Sequence, residues 1–293
     1  MAKLKIAVRY FYLMITKHIS DCSYLKFYYR YKYGERLHLD PPVLFTEKLQ
    51  WLKIFNQKPE FTTMVDKLQA KKYVGEKLGE QYITPLLGVW EHFDDIDFDK
   101  LPDKFVLKCT HDCGGLVICQ EKSKLDKRAA RKKIESSLKY NWYYMRREWP
   151  YRDVKPLIIA EEYMENDRQN GLYDYKVWCF NGKPTYIQFI SGRLGDITYE
   201  GFYDTDWNLQ EFSYHNPRTD KPVPKPENLD ELLSLCAKLA EGIPFVRTDF
   251  YILPDNRIRF GEITFFPMSG FDHFKPEEAN KMLGDLVQLP EKR

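Results

Sequence analysis

The sequence predicts an α+β protein, and three observations carry that prediction. Strand-like runs come in adjacent pairs joined by turn residues, as in DYKVWCFNGKPTYIQF, where Asn181-Gly182 is a strong two-residue hairpin signal. Between the pairs lie stretches with helical apolar spacing, such as LDELLSLCAKLAEGI. Antiparallel hairpins with helices between them define the α+β class. With 293 residues, 43% hydrophobic and 30% charged, the chain can bury a sizeable core as one large or two to three smaller domains.

The elements follow in order. Residues 1–60 read as helices broken at Pro41-Pro42, and LFTEKLQWLKIFN sets Leu44, Leu49, Leu52 and Phe55 near helical spacing. TTMVDKLQAKKYVGEKLGEQYIT reads as one helix closed by Gly79, then a short strand before Pro85. EHFDDIDFDKLPD reads as an acidic linker or short loop, and FVLKCT, a His-Asp-Cys-Gly-Gly loop and LVICQ as a hairpin. The basic run from Lys122 opens with a capping-box pattern at Ser123 and Asp126 and puts Ala130, Ile134 and Leu138 on one helical side. PLIIAEEYM is a buried strand ending in carboxylates. In the Asn181-Gly182 hairpin, Asp174, Lys176, Trp178 and Phe180 share a face. HNPRTDKPVPKPEN is a surface loop, LDELLSLCAKLAEGI a helix ending at Gly242, and a final helix starts near Pro276.

Charge excludes some functions. A formal net charge of +2, without a recognisable motif, argues against nucleic-acid binding. No apolar run is long enough to span a bilayer; LKIAVRYFYLMI is interrupted by Lys5 and Arg9. Residues 1–40 nevertheless hold eight Lys/Arg against three Asp/Glu. Such a segment reads as a helix docked on the body with its basic face in water, the preferred reading, or as a basic helix on an anionic membrane or acidic polymer. The six cysteines lack paired CxxC spacing, which points to free thiols in a reducing cytosol. Cys109, His111, Cys113 and Cys119 crowd one segment without a second ligand pair at zinc spacing, and their alternation fits the two faces of a hairpin.

The segment VRTDFYILPDNRIRFGEITFFP is the most informative. A two-residue turn at Asp255-Asn256 pairs Pro254 with Arg257, Leu253 with Ile258, Tyr251 with Phe260 and Asp249 with Glu262. Facing carboxylates with Cβ atoms about 5 Å apart repel unless a cation lies between them. Arg247 and Thr264 fall on the same face. Arginine holding an anion beside carboxylate-bound Mg²⁺ is what phosphoryl transfer requires. The other reading is an acidic pair that Arg247 simply neutralises.

VDKLQAKKYV, FVLKCTHDCGG, IIAEEYM, LYDYKVWCFNGKP and VRTDFY…IRFGEITFFPMSGF occur in an order that resembles the TupA-like branch of the ATP-grasp superfamily, named after teichuronopeptide biosynthesis. The resemblance runs from about Thr46 to Phe274, with a more distant one to D-alanine:D-alanine ligases. It implies two α+β lobes clamping ATP, with a helical region over 1–90, a first lobe with the Gly-Gly loop over 91–164 and a second lobe with the acidic hairpin over 165–293. It further implies that Lys67 and Lys108 approach the nucleotide, that Gly114 and Gly115 bring backbone close to phosphate, and that Glu161, Glu162, Tyr163 and Met164 hold adenine and ribose. Lys176 would stand near the terminal phosphate and Arg247 would stabilise developing charge, the two catalytic candidates. Asp249, Glu262 and Thr264 would hold Mg²⁺, with Thr264 replacing the family's usual Asn. The expected activity is an ADP-forming carboxylate-amine ligase of surface-polysaccharide (capsule) biosynthesis. Through an acylphosphate it would join a small-molecule amine to a uronic-acid or amino-acid carboxylate on a glycan or nucleotide sugar. The expected place is the cytoplasm, with peripheral contact at the inner membrane face through the basic N-terminus. The rivals are a sugar or protein kinase, although neither GxGxxG nor HRDxxxxN is present, and a non-catalytic nucleotide- or glycan-binding module.

Overall fold

The protein is described from a computed structural model over residues 16–112, 114–165, 172–191, 198–219 and 222–292, so LKIAVRYFYLMI and Cys113 lie outside the described residues. Two antiparallel sheets organise the chain. The first contains β1 (Leu86–Trp90), β2 (Phe105–Cys109), β3 (Leu116–Cys119) and β4 (Ile158–Glu162), in the order β1-β4-β2-β3. The second contains β5 (Asp174–Phe180), β6 (Lys183–Ser191), β7 (Tyr199–Asp204), β8 (Phe245–Ile252) and β9 (Ile258–Thr264), in the order β7-β6-β5-β8-β9.

Helices cover these sheets. α1 (Asp21–Tyr33), α2 (Phe45–Phe55), α3 (Glu60–Val65) and α4 (Gln69–Leu78) precede the first sheet. α5 (Lys127–Leu138) and the short α6 (Tyr143–Arg146) lie between β3 and β4. α7 (Leu229–Ala240) precedes β8, and α8 (Glu278–Leu286) closes the chain. Every residue of the central strand β5 is buried. One of its faces meets Leu232, Leu235, Cys236 and Leu239 of α7, which recur at helical spacing. On the other, Phe45 of α2 packs 5.4 Å from the ring of Trp178 and 6.1 Å from that of Phe180. Truncating Phe45 would leave a cavity worth about 3–5 kcal/mol.

Local chemistry revises several expectations. The helix expected across VDKLQAKKYV breaks at Asp66, whose Oδ1 accepts from the backbone N–H groups of Leu68 (2.9 Å) and Gln69 (3.3 Å) and so caps α4. Lys67 therefore stands in the break, its N–H bonded to the Thr110 carbonyl at 3.1 Å. The strand expected before Pro85 lies after it, as β1, where every N–H can join the ladder. The acidic stretch is no linker, since Phe93, Ile96, Phe98 and Leu101 fill the core beneath the first sheet. α5 is capped by Asp126, which accepts from the Ala129 N–H at 2.9 Å, while the Ser123 hydroxyl turns to Glu121 at 2.6 Å.

The Asn181-Gly182 turn forms as expected, both residues at positive φ (50° and 81°). The β8–β9 turn does not. Asn256 takes φ 63° and Leu253 bonds to the Arg257 carbonyl at 2.9 Å, giving a three-residue loop that shifts the near register by one. Tyr251 thus faces Arg259 rather than Phe260. A bulge then restores Asp249 opposite Glu262. Gly261 permits it, because a Cβ there would stand 3.0 Å from the Asp249 carbonyl oxygen.

Candidate functional site

Antiparallel register puts Val106, Lys108, Leu116, Ile118, Ile159 and Glu161 on one face of the first sheet, opposite the face that α5 covers. Leu116 and Ile118 are exposed there, and Lys108 rises from β2, an interior strand. Glu161 is buried and receives two lysines: Lys71 at 2.7 Å and Lys108 at 2.5 Å. Burial alone would raise the carboxyl's pKa, but Lys108 and Lys71 hold it below the ordinary carboxylate range. Each Glu161 oxygen thus carries one lysine. Sequence reasoning missed Lys71, which also donates to the Thr84 carbonyl at 2.8 Å.

Glu162 is exposed where β4 ends. With Tyr163, Met164 and Thr84 it lines a cavity of about 520 Å³ whose other wall is the β8–β9 turn, through Leu253, Pro254 and Arg259. Ligand cavities of this size hold small molecules with a few polar anchors. Above them, the loop after β2 folds inward: the Gly115 N–H donates to both Asp112 carboxylate oxygens (2.9 and 3.1 Å), and the Lys67 ammonium donates to the Asp112 carbonyl. A Cβ at Gly115 would stand 2.4 Å from Cys109 Sγ, so this glycine is required by packing, whereas Gly114 has room for one. His111 faces away, its Nε2 on the carbonyls of Ser137 (3.2 Å) and Tyr140 (3.1 Å).

The second sheet gathers the remaining candidates. Lys176 pairs across the ladder with Asp249, Asp249 with Glu262, and Arg247 with Thr264. The Asp249 carboxylate accepts Arg247 Nε and Nη2, each at 2.7 Å, and the Lys176 ammonium. Lys176 also lies 3.1 Å from Asp174. Arg247 Nη2 reaches Glu262 Oε1 at 3.3 Å and Thr264 Oγ1 at 3.2 Å. The repulsion expected between the facing carboxylates is thus relieved by Arg247. Burial would raise the Asp249 pKa, but Arg247 and Lys176 hold it below the usual range; desolvation opposes the charge on Arg247, yet Asp249 raises its pKa.

Asp249, Glu262 and Thr264 offer carboxylate and hydroxyl oxygens, the donors that Mg²⁺ takes when phosphates and water complete its shell. Each carboxylate oxygen has two lone pairs, so Asp249 can serve arginine and a metal together. The Glu262 side chain is 39% exposed.

Beyond Thr264 the chain makes a tight turn that the sequence does not announce. Met268, Ser269 and Gly270 all have positive φ (47°, 57° and 65°), a costly run for the two side-chain-bearing residues. It is held by buried Lys53, whose ammonium donates to the carbonyls of Ser269 (2.7 Å) and Arg146 (2.9 Å), and by Gln50 on the Gly270 carbonyl at 2.9 Å. Ser269 Oγ donates to Glu148, whose carboxyl burial raises in pKa.

No curated protein matches the chain. Among solved structures it is similar to N5-carboxyaminoimidazole synthetase from Staphylococcus aureus (16% identity, 69% of this chain and 44% of that one, TM-score 0.39). It is also similar to D-alanine–D-alanine ligase from Bacillus anthracis, complexed with ATP (18%, 69% and 54%, TM-score 0.40), and to the ATP-grasp ligase PsnB, complexed with minimal precursor, Mg and ADP (12%, 75% and 57%, TM-score 0.41). The chain spans about half the length of these structures. The family model for TupA-like ATP-grasp proteins matches residues 47–288, most of the chain, and the protein belongs to that family.

Proposed function

We propose that the protein is an ADP-forming carboxylate-amine ligase that uses ATP and Mg²⁺. The observation that carries this reading is the cluster on the second sheet, where Lys176 and Arg247 meet Asp249, Glu262 and Thr264 on one face. Adenine would lie by Tyr163 and Met164, with Glu162 beside the ribose and the phosphates running past Lys108 and Lys71 toward Lys176. Lys67 and the Gly114-Gly115 loop would close over them. Asp249 and Glu262, with Thr264, would hold Mg²⁺, which would offset phosphate charge when bound. Arg247 stands ready to stabilise negative charge on an acylphosphate and on the tetrahedral intermediate formed when an amine attacks it.

The carboxylate acceptor is a uronic acid or amino acid borne by a surface glycan or nucleotide sugar. The reaction is placed in the cytoplasm, a setting that suits the five free cysteines among the described residues. Turnover of Mg-ATP with uronic-acid acceptors and an amino-acid panel tests the reading. ADP with an amide is the expected product, ADP with a phosphoester would mean a kinase, and no ADP at any acceptor would mean a binding module.

A further inference from the structure

α1 presents two unlike faces. Tyr24, Leu25 and Tyr29 are buried with Leu37 and Phe271, and three hydroxyls tie the helix down: Tyr24 to the Met145 carbonyl (2.7 Å), Tyr29 with Thr46 Oγ1 (3.1 Å) and Tyr33 to the Asp272 carbonyl (2.9 Å). The outward stripe, at spacings of three and four, is Ser23, Lys26, Phe27, Arg30 and Tyr31, all exposed. Phe27 is 70% exposed and Tyr31 76%, the highest values among the described large hydrophobic side chains. The stripe has two cations and no carboxylate. The fold does not need these side chains, because the anchoring contacts come from the other face.

We propose that this stripe docks on an anionic lipid surface, with Phe27 and Tyr31 entering the headgroup boundary and Lys26 and Arg30 meeting lipid phosphates. Aromatic rings flanked by basic residues on an anchored helix have the chemistry of interfacial binding. Phe27, a pure hydrocarbon ring, gains more from the acyl boundary than from a hydrated polymer. The placement has a consequence for substrate. Tyr28 of the same helix packs 4.7 Å from Phe271, and Tyr33 holds Asp272, so α1 sits on the chain that follows Thr264. A docked α1 would bring that stretch of chain near the membrane.

Co-sedimentation with large vesicles of phosphatidylglycerol and phosphatidylcholine, compared with phosphatidylcholine alone, tests the proposal without ATP or acceptor, so its failure is separate from that of the ligase reading. The wild-type protein should partition at least tenfold more strongly onto the anionic vesicles at low salt and lose most of that preference in high salt. Phe27→Ser with Tyr31→Ser should lower binding at least tenfold at an unchanged melting temperature. Lys26→Glu with Arg30→Glu should abolish the preference for anionic lipid. Equal binding to both vesicle types would overturn the proposal. So would a Phe27/Tyr31 variant that sediments like wild type, or retention on a polyuronate resin without vesicle binding, which would make the partner a glycan.

Discussion

Beside the first sheet one carboxylate, Glu161, lies between two lysines, Lys71 and Lys108; on the second, Lys176 and Arg247 stand among three carboxylates, Asp174, Asp249 and Glu262. The first cluster has one positive charge in excess and the second one negative charge in excess. Each is neutralised enough to fold, since a buried charge without a partner costs several kcal/mol. Each is also left with an imbalance that a polyphosphate and a divalent cation, arriving together, would cancel. On the proposed reading, the difference in sign would direct phosphate oxygens toward the first cluster and metal toward the second.

The sharpest way to break this comparison is Asp249→Asn. Asp249 is 2% exposed and holds both Arg247 and Lys176, so its neutral analogue takes from each cation its shortest carboxylate contact and leaves them only Glu262 and Asp174. Stability should fall by about 3–5 kcal/mol, and ADP release by about 10²–10³-fold. Melting curves and ADP assays on the same preparation check both. Glu262→Gln should separate the two effects. Its carboxylate is 39% exposed and meets Arg247 at 3.3 Å, so melting should change by less than about 1 kcal/mol while turnover still drops about 100-fold. Because Arg247 already bridges the acidic pair, the metal-free protein should gain no stability from the substitution. If turnover survived, Glu262 would be a structural carboxylate and the negative excess would have no functional meaning.

A smaller effect is expected at the Glu161 cluster. Lys71→Ala leaves Lys108 on Glu161 and should raise the apparent KM for ATP about tenfold, roughly 1.4 kcal/mol, with little change in kcat. Glu161 links the same cluster to pH. Its pKa is lowered in the folded protein, so the unfolded chain binds the proton more readily, and the stability Glu161 adds is present above the ordinary carboxylate range and lost as pH falls through its folded value. Glu161→Gln should flatten the acid limb of the stability curve; an unchanged limb would show that the lysine pairs contribute nothing there.

What the sequence revealed depended on how local the cause was. The Asn181-Gly182 hairpin was legible because two adjacent residues that tolerate positive φ dictate the turn. The Asp249–Glu262 pairing was also foreseen, but its route was not. Asn256 and Gly261 each shift the register by one residue, and their effects cancel at the carboxylates. The break at Asp66 carried a signal in its capping side chain, outweighed in the reading by the apolar spacing around it. Lys71 and Lys53 could not be found this way: their partners, Glu161 and the carbonyls of Arg146 and Ser269, are distant in sequence and become visible only when the sheets and helices assemble.

The finest test of the comparison is Thr264→Asn, because it alters the metal side of the second cluster without changing its charge. Thr264 Oγ1 accepts from Arg247 Nη2 at 3.2 Å and lies 3.4 Å from Glu262 Oε1, beside the proposed metal ligands. A side-chain amide carbonyl is also an acceptor and reaches one bond further, so it can keep the Arg247 contact and turn an oxygen toward the metal. The position is half-buried, leaving room for the larger group. Melting without ligand should therefore stay within about 0.5 kcal/mol of wild type, as for substitutions that create no cavity and strand no charge. The Mg²⁺ concentration giving half-maximal ADP release should stay equal or fall by about two- to threefold, less than 1 kcal/mol. A rise of tenfold or more, with melting unchanged, would mean that the Thr264 hydroxyl itself orders the metal side and that Asn cannot stand in for it.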